Sequence, residues 1–140
     1  MSGGRQGQQR GGGDPHESHD RSWVREVIVA GNYTKLDAEA HSLASRLDEA
    51  TKTQVRGIFG TIKRLESLQG EPLKRELALL RPRLAYSAAR VRGLDALRDV
   101  LTDASRLAEE TPGVRVQRLV DLMEAILCYS TAARSRKEKA

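Results

Sequence analysis

Leu73, Leu77, Leu80, Leu84, Ala88 and Val91 recur at spacings of four, three, four, four and three residues. Only an α-helix brings such positions onto one side, because its 3.6-residue period aligns i, i+3, i+4 and i+7. The same rhythm returns along most of the chain. Trp23, Val24, Val27 and Ile28 keep it over 22–30, and Leu36, Ala40, Leu43, Leu47 and Ala50 carry it through a second segment. Val55, Ile58, Phe59, Ile62, Leu65 and Leu68 make a third face. Beyond the leucine stripe, Leu94, Leu97, Val100, Leu101, Ala104 and Leu107 form a fifth, and Val116, Leu119, Val120, Met123, Ile126, Leu127 and Ser130 a sixth. The strict alternation of a half-buried strand is missing throughout. The sequence therefore predicts an all-α fold, a compact bundle of five to six helices.

The breaks between these stripes carry turn chemistry. Gly31-Asn32, Gly70, Gly93 and Thr111-Pro112-Gly113 separate successive helices, and Thr51 or Thr53 is placed to cap the third. Pro72 fits a first helical turn. Pro82 falls inside the leucine stripe, where the missing amide and the clash with the Ala78 carbonyl predict a kink or a split. The third and fourth helices are expected at roughly 53–69 and 72–91. The domain organisation follows: residues 1–20, Gly/Gln-rich and almost without apolar side chains, are expected to be a disordered leader. Residues 21–133 make one helical bundle domain, and the basic stretch 134–140 a frayed tail. The chain of 140 residues suits a single core.

Charge is unevenly placed. Between Lys52 and Arg92 stand ten Lys or Arg against Glu66, Glu71 and Glu76, a net +7 in a chain whose total is +5. A charge stripe on one helix is ordinarily its solvated side. Two consecutive helices sharing the excess, between acidic neighbours, point instead to a surface that meets a polyanion. Lys52, Arg56, Lys63, Arg64, Arg81, Arg83 and Arg90 are the candidate contacts, with Thr53 and Gln54 near a helix start adding hydroxyl and amide bonds to phosphate. Arg64 and Arg81 have a competing use in ion pairs with nearby acids. Tyr86 is read as the edge of the core or a phosphate contact. Gly57 and Gly60 interrupt a helix at a cost of about 1 kcal/mol each, which suggests close approach of either a neighbouring helix or an outside backbone. With one Phe, one Trp and three Tyr, the chain lacks the several rings of a single-strand stacking platform.

Catalytic chemistry is not evident, and the chain is read as a non-enzyme. His41 is the only histidine in the helical part, so no Ser–His–Asp or Cys–His pairing arises. His16 and His19 lie in the leader. No phosphate-cradling glycine motif occurs. Asp95, Asp99 and Asp103 stand on one helix with Arg98 and Arg106 interleaved, a pattern of ion pairs on a solvated face; no catalytic or metal site and no cofactor is expected. Cys128, in the apolar run LMEAILCYS, is expected to be a small buried residue. A lone cysteine, no signal-peptide core and no apolar run of about 18 residues suggest a cytoplasmic protein away from membranes.

Three stretches together resemble a known family. TKTQVRGIFGTIKRLE over 51–66 is similar to a Thr/Ser-rich cap followed by Gln, an aliphatic residue, Arg and an apolar-basic helix. LALLRPRLAYSAAR over 77–90 matches a pattern of Leu, Lys or Arg, Pro, Lys or Arg, aliphatic, Ala and Tyr. RLVDLMEAILCYS over 118–130 resembles a closing helix with Glu-Ala and Tyr, departing from it at Ser130. In this order they look like the small helical subunit of type III-A CRISPR effector complexes, the Csm small subunit. The resemblance implies a non-catalytic protein in several copies along a ribonucleoprotein filament. It also implies contact with target RNA and guide RNA, with other type III effector subunits, and with neighbouring copies of itself, in antiviral defence. The acidic helix 93–110 offers a face for such copies. A helical protein–protein adaptor without RNA contact, and the small subunit of the related type III-B complex, are the alternative readings.

Overall fold

A computed structural model describes residues 20–139; the expected leader lies outside it except for Asp20. Six α-helices follow one another: α1 Trp23–Ile28, α2 Tyr33–Ala44, α3 Lys52–Lys63, α4 Gly70–Arg90, α5 Asp95–Glu110 and α6 Val114–Lys139. Short 3₁₀ turns at Glu49–Thr51 and Arg64–Ser67 flank α3. No strand occurs among the described residues, as the helical spacing requires.

The architecture centres on α6. Its apolar face of Leu119, Val120, Leu122, Met123 and Ile126 is fully buried, and α2, α3 and α5 pack against it. The outer helix α4 leans chiefly on α5, burying Leu73, Leu77, Leu80 and Leu84, four members of the stripe that announces this helix in the sequence. Each such leucine contributes about 1.5–3 kcal/mol. Arg81 adds a polar tie across the same seam, 2.8 Å from Glu109 and 3.3 Å from the Ser105 hydroxyl.

The local outcomes correct several expectations. Pro82 splits nothing: α4 is one helix from Gly70 to Arg90. Gly70, with φ of 60°, opens α4 rather than ending α3. The second helix stops at Ala44, because Asp48 caps the following 3₁₀ turn by accepting from the Ala50 amide at 3.1 Å; Ala50 is exposed and Leu47 half-buried. Cys128 is exposed, not buried. It stands about 180° around α6 from the Leu119–Met123–Ile126–Ser130 line, so its apolar neighbours in sequence are not its neighbours in space. Ser130 does face inward, its hydroxyl donating to the Leu127 carbonyl at 3.1 Å. The last helix extends from Val114 to Lys139.

Candidate nucleic-acid interface

Both basic helices, α3 and α4, find their main support elsewhere, α3 on α6 and α4 on α5. Between them runs an open groove in two connected parts that share Thr61 and Arg83. One part, of about 780 Å³, is walled by Arg64, Arg75, Glu76 and Arg83. The other, of about 330 Å³, runs past Gln54, Gly57, Ile58 and Ser87. Gly57 leaves its floor unobstructed: a Cβ added there meets nothing within 4 Å. The helix-packing explanation for Gly57 and Gly60 is thereby set aside, since the same holds at Gly60. Gly57 is exposed and Gly60 half-buried.

Arg75 and Arg83 converge on one carboxylate. Each places Nη1 2.7 Å from an oxygen of Glu76, and this pair of guanidiniums, Arg83 foremost, holds the Glu76 carboxyl below its ordinary pKa. Two guanidiniums meeting at one point on a groove wall are arranged as they are around a phosphate. Glu76 occupies that point. Arg75 had no special standing in the sequence, where it is one of ten charges; only its convergence with Arg83 distinguishes it.

The other expected contacts divide by position. Arg90, seven residues beyond Arg83, continues the same flank of α4, its Nη1 donating to the Tyr86 hydroxyl at 3.3 Å. At about 100° per residue, Lys52, Arg56 and Lys63 fall on the far flank of α3 from Gln54, Gly57 and Thr61. Lys63 pairs with Glu66 at 2.9 Å, which raises its pKa, and it also feels Glu124 and Asp121 of α6. Lys52 lies 3.8 Å from Glu49. Arg56 is exposed. Arg81 points the other way from the groove, into its contact with α5. Thus Gln54 and Arg64 line different parts of the groove, with Arg83 common to both and Arg90 beyond, while Lys52, Arg56 and Lys63 lie on the other flank of α3.

Residues 30–136 match the family model described as Csm2 Type III-A. The chain belongs to the Csm2 type III-A family. As a Csm2-family protein it is a small subunit of a type III-A CRISPR effector complex and has other effector subunits as partners. The match is to the type III-A family, so the type III-B alternative is set aside. No curated protein and no solved structure matches the chain.

The remaining surface chemistry is taken up within the fold. Among the described residues no group of three His, Cys, Asp or Glu is placed to hold a metal ion. Arg21 reaches Asp103 at 2.7 Å and Asp99 at 3.8 Å, and Arg98 reaches Asp99 at 3.0 Å and Asp95 at 3.5 Å. The acids of α5 therefore pair with the chain's own arginines. His41 is exposed and meets the Tyr129 ring edge-on, with centroids 4.7 Å apart. No helix among the described residues is long and apolar enough to cross a membrane.

Proposed function

We propose that this Csm2-family chain binds the RNA backbone in the groove between α3 and α4, as a non-catalytic subunit present in several copies along the effector filament. The observation that carries the reading is the convergence of Arg75 and Arg83 on the wall of an open groove whose floor is Gly57. Arginine forks neutralise phosphates and release counterions without reading bases, so sequence selection falls to pairing between guide and target. Arg64 extends the cationic wall. Gly57 permits a sugar-phosphate strand to approach the helix backbone. A bound phosphate displaces Glu76 from the two guanidiniums. Target RNA paired with the guide is the polyanion this surface suits, and antiviral defence the setting.

Photocrosslinking tests this. Target RNA carrying photoreactive nucleotides is irradiated on the assembled, guide-loaded complex, and crosslinked peptides are mapped. Crosslinks within 53–64 and 75–90 are expected. Crosslinks confined to other subunits would favour a protein–protein adaptor whose basic helices dock on an acidic partner.

A further inference from the structure

Tyr86 departs from the sequence reading of a core-edge residue: it is 64% exposed, the most exposed large apolar side chain among the described residues. It stands one helical turn from Arg83 and next to Ser87, both on the groove wall. The Arg90 guanidinium carbon lies 5.4 Å from its ring centroid, and Arg90 Nη1 donates to its hydroxyl. The ring is therefore held from one side by a cation and left open to solvent on the rest. A single exposed aromatic is ordinary by itself. What sets Tyr86 apart is the guanidinium at its ring and the groove wall beside it, and among the described residues it is not one of those packed against the core.

We infer that Tyr86, steadied by Arg90, stacks on one unpaired base of the RNA whose backbone lies in the groove. The inference rests on the groove reading above and adds to it the class of group recognised. Phosphate-binding arginines fix the strand; a ring a few ångströms along the same helix then meets whatever the strand projects sideways. Bases within a duplex already stack on each other and offer only their edges, whereas an unpaired or splayed base offers a π-face. A guanidinium at the ring adds cation–π attraction. One ring takes one base, so each copy of the subunit holds a single station rather than a platform, consistent with the scarcity of aromatics.

The test uses the assembled, guide-loaded complex and target RNAs bearing a fluorescent adenine analogue at successive positions. Stacking quenches the analogue. Quenching at one or a few positions is expected, lost in Tyr86→Leu and retained in Tyr86→Phe, together with about a fivefold or greater loss of target affinity in Tyr86→Leu. Equal quenching in wild type and Tyr86→Leu overturns the inference. So does a Tyr86→Leu complex that fails to assemble before RNA is added, which would make the ring a protein contact. Arg64→Ala with Arg83→Ala separates the two proposals. If that pair weakens RNA binding while Tyr86→Leu changes nothing, the groove reading stands and the stacking inference falls. If the pair changes nothing, the groove reading fails.

Discussion

Arg118 of α6 lies flat against Gly31, so closely that a Cβ on Gly31 would sit 2.6 Å from Arg118 Nη2. The same guanidinium donates from Nη1 to the Ile28 and Val29 carbonyls at 3.2 and 3.0 Å, satisfying the end of α1. Gly31 has φ of 71°, a conformation that costs an L-residue about 1 kcal/mol or more. Gly31→Ala adds that strain and displaces charge-assisted bonds, so a loss of about 2–4 kcal/mol is expected in chemical denaturation. A variant as stable as wild type would contradict the packing.

Arg81 and Arg83 stand two residues apart with opposite roles. Arg81→Ala removes the tie to Glu109 and Ser105 and should lower stability by about 1 kcal/mol, a modest figure because the pair is partly solvated, with RNA affinity of the complex unchanged. Arg83→Ala should leave the thermal midpoint nearly unmoved and weaken RNA binding several-fold. Melting curves and binding isotherms on the same two variants decide it.

The two glycines of α3 form a second matched pair. Neither Gly57 nor Gly60 has a neighbour within 4 Å of an added Cβ, so alanine at either should stabilise the chain by about 0.5–1 kcal/mol through helix propensity. Only Gly57 lines the groove. Gly57→Ala is therefore expected to raise the melting temperature and reduce RNA affinity, Gly60→Ala to raise the melting temperature alone.

Most of the fold is legible in the sequence because helical spacing reports burial directly. The six stripes give six helices, and Leu77, Leu97, Leu119 and Ile126 sit in the core as their spacing requires. Cys128 lies in an apolar run, yet its angular position on α6 turns it outward. Where a helix ends is less visible: Leu47 and Ala50 continue the α2 rhythm, yet the Asp48 cap redirects the backbone. The site is harder still. The sequence locates the charge on two helices, but the flank each side chain occupies depends on how α3 and α4 rotate onto different partners. Packing of α4 on α5 sends Arg81 to Glu109. The meeting of Arg75 and Arg83 at Glu76 instead lies within α4, and the exposure of Tyr86 follows from its place on the far side of that helix from the leucine stripe.

Two tyrosines give the fold a pH signature. The Tyr33 hydroxyl donates to Asp121 at 2.8 Å and that of Tyr129 to Asp37, and these bonds to carboxylates raise both pKa values above the usual 10. Unfolded, the same hydroxyls ionise near pH 10. A folded pKa above the unfolded one means the contribution is fully present below about pH 10 and is lost as pH rises through the folded values. The chain should therefore lose stability above pH 10 more steeply than a Tyr33→Phe, Tyr129→Phe variant, and the two curves should converge there. Parallel curves would remove the hydroxyl–carboxylate bonds from the account.

The salt dependence of RNA binding bears most directly on the groove. For guide-loaded complexes carrying either the wild-type chain or Arg64→Ala with Arg83→Ala, target affinity is measured across a range of salt concentrations. Each phosphate contact on a single strand contributes about 0.7 to the slope of log affinity against log salt. The double variant should bind more weakly and with a slope shallower by about 1.4 per copy of the subunit engaged. Identical affinities and slopes would contradict phosphate binding between α3 and α4.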